Sequence, residues 1–180
     1  VGGVIYGFAG FAGTANMVFW PDFIDRGLGL GTEAGAIGWL GYGAAAALGA
    51  VVFSRIADWL GTERAIMLAL VVQVLSLILP LVWTGPVALG LSAIGAGVTV
   101  LGITALGLVR SRELGGEAAV RLWRLATAIW GITTAAAGFF LAWLLAMTGS
   151  HLPMFITGLA AALIALLLAT WSNLAAYHRS

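Results

Sequence analysis

The sequence predicts an all-α membrane protein of six transmembrane helices. Three observations carry that prediction: the composition, six apolar stretches free of charge, and the sidedness of the arginines. Of the 180 residues, 62% are hydrophobic and 8% charged, with a mean hydropathy of +1.07. Soluble domains carry about 25% charged residues. A water-soluble fold this apolar would lack polar surface to cover its core, and lipid as solvent removes that need.

A membrane helix needs roughly 20 apolar residues to cross a hydrocarbon core of about 30 Å. Six stretches reach that length: 1–21, 34–53, 65–84, 86–109, 125–147 and 152–177. None holds an Arg, Asp or Glu. Each such charge costs about 2.5–3.5 kcal/mol at the centre of an inserted helix. Backbone polar groups in lipid must be satisfied within the segment, so the stretches are expected to be helices. None alternates polar and apolar residues as a membrane strand would.

The connections alternate in charge. The first, 22–33, holds Asp22, Asp25 and Glu33 with Arg26. The second, 54–64, holds Arg55 and Arg64, and the third is a tight turn at Gly85-Pro86. The fourth, 110–124, holds Arg110, Arg112, Arg121 and Arg124, the fifth has no arginine, and the tail has Arg179. Seven of the eight arginines therefore fall on one side. The positive-inside rule places that side, with both termini, in the cytoplasm, and the even number of spans agrees. Trp20, Trp83, Trp171 and Tyr177 lie near span ends, where interfacial anchors belong.

Glycine divides the spans. The first, second and fourth hold five each, the fifth two, the sixth one and the third none. Small residues let membrane helices approach closely. The first, second, fourth and fifth spans thus read as packed inner helices, and the third and sixth as lipid-facing. Two inner helices and one outer, repeated, is the pattern of a three-plus-three inverted repeat in one transporter half.

Residues Ser54-Arg55-Ile56-Ala57-Asp58-Trp59-Leu60-Gly61-Thr62-Glu63-Arg64-Ala65 carry a further signal. They resemble the loop between the second and third helices of each half in the major facilitator superfamily. Asp58 and Gly61 match that motif in spacing and Arg64 supplies a basic residue. Ser54 replaces its first glycine, Trp59 its usual arginine, and Glu63 intrudes. Tyr6-Gly7-Phe8, Phe19-Trp20-Pro21, Gly61-x-x-Arg64-Ala65, Gln73 and Leu79-Pro80 are similar to the C-terminal half of the YbfB/YjiJ-type branch. The resemblance implies one six-helix half of a twelve-helix secondary transporter in a bacterial inner membrane. It also implies alternating access for a small solute, as an exporter or proton-coupled carrier. A second six-helix half, the lipid bilayer and the solute are the expected partners. Arg55, Asp58, Gly61 and Arg64 would form a cytoplasmic gating loop, with Asp58 meeting a helix N-terminus or pairing with Arg110 or Arg112.

Polar and aromatic groups on inner spans face the bundle interior or a wet cavity. Tyr6, Asn16, Trp39, Tyr42, Trp130 and Thr134 are the substrate-cavity candidates on that ground. Each could equally pack between helices. Thr99, Thr104, Thr127 and Thr133 are expected to bond their own helices, as Thr134 also could. Gln73 is expected to be structural or turned inward. His151 reads as an idle loop residue, with proton sensing as its alternative. The three acids of the first connection, Asp22, Asp25 and Glu33, read as helix caps or solvated groups, with a proton-coupling role near the outer mouth as their alternative.

The segment Gly7-Phe8-Ala9-Gly10-Phe11-Ala12-Gly13 has the glycine density of a dinucleotide loop, but no strand precedes it. No phosphate loop, metal-ligand cluster or nucleophile–base pair has a fitting context, so neither enzyme, cofactor nor metal is expected. The basic loops are too sparse for nucleic acid. A self-contained six-span channel-like or scaffold protein is the alternative reading.

Overall fold

A computed structural model describes residues 2–177, with side chains to 174. The described residues are all-helical. The helices are α1 (Gly2–Asp22), α2 (Thr32–Leu60), α3 (Thr62–Val82), α4 (Pro86–Gly115), α5 (Ala119–Thr148) and α6 (Leu152–Tyr177). A π-helical turn, Phe23–Gly27, prolongs α1, and a 3-10 turn, Gly116–Ala118, separates α4 from α5.

Among the described residues, four helical stretches are both long and apolar enough to cross a membrane: Thr32–Leu60, Thr62–Val82, Pro86–Thr148 and Leu152–Leu174. The third is a continuous run of 63 residues, about 95 Å at 1.5 Å per residue. It breaks where Gly116 takes φ +47°, and α4 and α5 then pack on each other. α1, with five glycines and Asn16 among its 21 residues, is not among the four. It nonetheless touches all five other helices, and Pro21 lies in its last turn.

The expected charged connections are largely helical. Arg55 and Asp58 lie on α2, Arg110 and Arg112 on α4, and Arg121 and Arg124 on α5. Nothing in 54–60 or 110–114 breaks a helix, so each continues until a glycine. Gly61 alone joins α2 to α3, at φ +85°.

Glycine marks the closest approach. A Cβ at Gly49 would strike the Val98 carbonyl on α4, and one at Gly97 would strike the Tyr42 carbonyl on α2. Gly158 on α6 faces the Ala12 carbonyl of α1 at 3.2 Å from the same notional atom. The division by glycine count needs correcting, however. α3 and α6 are not plain lipid-facing helices; they pack on each other and on α4 and α1 respectively. α6 does so through Gly158, Ala161, Ala162, Ala165 and Ala169, all buried. Alanine there serves the close packing assigned to glycine. α5 in contrast buries only Ala137 and Leu141, and α2 exposes Ala36, Gly43, Ala44 and Ala47.

The contacts pair off. α2 packs mainly on α4 and α5 mainly on α1, while α3 meets α4 as α6 meets α1. α1 touches α2 as α4 touches α5.

Trp83 and Trp171 are exposed near helix ends, in keeping with an anchoring role. Trp20 is not. It is buried, its ring filling the space that Gly38 of α2 leaves open. Tyr177 and Arg179 lie outside the described side chains.

Candidate transport surface and the two charged ends

The six cavity candidates form three groups. Tyr6 stacks obliquely on Trp130 with ring centroids 4.6 Å apart, and Trp123 lies 6.3 Å away. Gly10, one turn along α1, faces Trp130 and the Thr134 hydroxyl. That hydroxyl is buried and finds no partner among the described residues. Tyr6, Trp130 and Thr134 thus share the α1–α5 contact. Trp39 and Tyr42 lie together on α2 at 5.7 Å, and Trp39 Nε1–H donates to the Met17 carbonyl on α1 at 3.3 Å. Trp39 is exposed and Tyr42 buried.

Asn16 belongs to a buried polar strip between α1 and α3. Its Nδ2 donates to Ser76 Oγ at 3.2 Å, and Ser76 Oγ donates to the Gln73 carbonyl at 2.7 Å. Gln73 Nε2 donates to the Ala9 carbonyl at 2.9 Å, so it turns inward. Ser92 on α4 closes the strip by donating to the Ser76 carbonyl. Asn16 Oδ1 and Gln73 Oε1 remain without partners among the described residues. Thr99, Thr104, Thr127 and Thr133 bond carbonyls of their own helices.

A cavity of about 480 Å³ enters the bundle at the arginine-bearing end. Tyr6, Glu63, Arg110, Ser111 and Asn173 give it polar points, and Ile66, Leu70 and Ile103 line its apolar walls. Tyr6 is the one cavity candidate among its lining residues.

The ion pair at that end is not the expected one. Asp58, Arg55 and Arg64 are exposed and make no ion pair among the described residues. Arg110 instead binds Glu63 in the first turn of α3 and Glu113, 3.1 Å away and three residues on. Thr62 donates its hydroxyl to the other Glu113 oxygen. Glu63, one of the three residues that depart from the family motif, therefore carries the link between α3 and α4. These groups are a third or more exposed, so each pair contributes at most about 1 kcal/mol. The sequence signal available for it was Arg110 with Glu113 at helical spacing.

The opposite end holds a second cluster that sequence reasoning read differently. Asp22 neither caps a helix nor stays free: Oδ1 meets Arg26 Nε at 3.1 Å and Oδ2 meets His151 Nε2 at 2.8 Å. His151 is buried rather than idle. Its carbonyl accepts the N–H groups of Met154 and Phe155, starting α6.

A family model described as the uncharacterised MFS-type transporter YbfB matches residues 2–170. The chain belongs to that transporter family. No curated protein and no solved structure matches it. Membership places this MFS-type chain among membrane transporters rather than enzymes. It fits helices whose buried polar groups bond one another and whose charges gather at the two ends.

Proposed function

We propose that the chain is the C-terminal half of a twelve-helix secondary transporter, moving a small solute across a bacterial inner membrane by alternating access. All six helices cross the bilayer as a three-plus-three repeat, with the arginine-bearing end and both termini cytoplasmic. The matched contacts favour the repeat: exchanging α1 with α4, α2 with α5 and α3 with α6 maps every packing pair except the slight α1–α3 contact onto a packing pair. The solute is carried as an export cargo or together with a proton.

One observation carries the half-transporter reading. α2 and α5 each present a long exposed apolar face in which small residues recur, Gly43, Ala44 and Ala47 on one and Ala128, Gly131, Ala135 and Ala136 on the other, beside large ones such as Leu40 and Ile132. Gly41, Gly43, Gly131 and Gly138 have no atom within 4 Å of the place a Cβ would take. Such faces draw membrane helices together by close packing, which suits a second six-helix bundle. Trp39, Tyr42, Trp130 and Thr134 then border the space between the halves. Tyr6 and Asn16 support them from α1. The Glu63–Arg110–Glu113 cluster takes the latch role that the motif gives to Asp58.

The test is Gly43→Trp and Gly131→Trp in the complete transporter. Both positions are exposed with no atom within 4 Å of the place a Cβ would take, so insertion and expression should stay normal while transport is lost. Transport at wild-type rate in both variants would refute the half-transporter reading.

A further inference from the structure

His151 is the one buried side chain among the described residues that ordinarily changes charge between pH 5 and 8. Its surroundings are built around the imidazole. The ring packs on Phe23 at 5.7 Å, and Phe23 sits edge-on to Phe155 at 4.9 Å. Gly27 makes room for it: a Cβ there would lie 3.0 Å from His151 Nδ1 and 2.8 Å from the Phe23 ring. The contact with Asp22 spans 129 positions of sequence and ties the end of α1 to the start of α6. Beside it lies a cavity of about 550 Å³ lined by Asp22, Arg26, His151, Thr84 and Ser150. Arg26 is 78% exposed, so water reaches the cluster.

We propose that Asp22 and His151 form a proton-binding regulatory site, a latch that fastens the outer end of the bundle when the outside is acidic. With Nε2–H donated to Asp22 Oδ2, the free lone pair of the neutral ring is on Nδ1, the nitrogen facing Gly27. A proton arriving through the cavity forms an N–H bond at Nδ1 and breaks no other bond. The hydrogen bond to the Asp22 carboxylate, already charge-assisted, then becomes an imidazolium–carboxylate pair and gains a direct attraction between opposite charges. The charged groups around the ring are few. Asp22 and Arg26 come from α1 and its π turn; Asp25 on the same turn does not line the cavity; α3, α5 and α6 contribute no charged group to it. Arg26 occupies Oδ1 and leaves Oδ2 to the histidine. The site controls opening and does not carry the coupled proton, since it lies at one end only. Its assignment to the outer face rests on the orientation proposed above.

Spin labels at Leu30→Cys and Leu152→Cys, both exposed positions flanking the cluster, report the latch in the complete transporter in lipid nanodiscs, whether or not transport is measured. Between pH 5.5 and pH 8 the fraction of long label distances should rise about fivefold, the scale of one strengthened hydrogen bond. His151→Gln keeps a donor without the charge change and should remove the pH response, and Asp22→Asn should do the same. A distance distribution unchanged by pH, or an equal shift in both variants, would overturn the proposal. A membrane-impermeant quencher added to sealed vesicles separately reports which face the labels occupy. A wrong orientation therefore leaves the pH response standing and moves the site to the cytoplasmic face.

Discussion

Substituting alanine for Gly97 tests how closely α2 and α4 approach. A methyl group there would meet the Tyr42 carbonyl, with Tyr42 C at 3.0 Å and Ala45 Cβ at 3.1 Å. Two of those neighbours are helical backbone, which cannot rotate away as a side chain would. The helices must part, and everything packed along the seam loosens with them. Overpacking a tight site costs about 1–3 kcal/mol, and the rigid neighbours put Gly97→Ala at the upper end, about 3 kcal/mol. Alanine's higher helix propensity returns less than about 1 kcal/mol. The Gly49→Ala variant meets the Val98 carbonyl in the same seam, with Val98 C at 2.9 Å, and should cost as much. Because one separation relieves both clashes, the double variant should cost clearly less than the sum of the singles, a coupling of about 1–2 kcal/mol. Equilibrium unfolding of the purified transporter in mixed micelles gives all three values. Additive losses, or a Gly97→Ala protein as stable as wild type, would refute the close-approach argument. Gly90→Ala, with nothing within 4 Å, is the control and should be neutral or stabilising by up to about 1 kcal/mol.

Gly61→Ala forces a side chain into φ +85°, ψ +152°, a region essentially reserved for glycine, which should cost about 1–3 kcal/mol in thermal unfolding. Arg110→Gln removes the cation that Glu63 and Glu113 share, yet their exposure limits the loss to about 1 kcal/mol; a Tm shift that vanishes at high salt would confirm the electrostatic share. Asn16→Leu deletes an amide whose oxygen is buried without a partner among the described residues. It should hold stability within about 1 kcal/mol while lowering transport if Asn16 touches the solute; full transport with unchanged KM would remove Asn16 from the candidates.

The helices were legible because charge and hydropathy mark them directly: no stretch between connections carries an Arg, Asp or Glu. Their ends were less so, since Arg55, Arg110 and Arg121 are good helix formers that look like loop residues only to a hydropathy reading. The inward turn of Gln73 followed from the cost of exposing an amide to lipid. Which acid Arg110 chooses was not legible, because Asp58 and Glu63 differ by five positions across a turn whose φ decides their directions. The Asp22–His151 pair lay beyond any local pattern: its members are 129 residues apart, and only the packing of α1 on α6 joins them. Trp20 misled for a related reason. A tryptophan at a span end is an anchor only if its neighbour is bulky enough to keep it out, and Gly38 is not.

The join at Gly61 leaves the chain no slack. Sliding α3 along α2 by one helical turn would need about 5.4 Å of extra length, and a single residue between two capped helices has none to give. α2 and α3 must therefore tilt as a hinged pair, like the two arms of a compass. Any rearrangement of this bundle that lengthens the path between Ala57 and Ala65 first has to unwind a helix end.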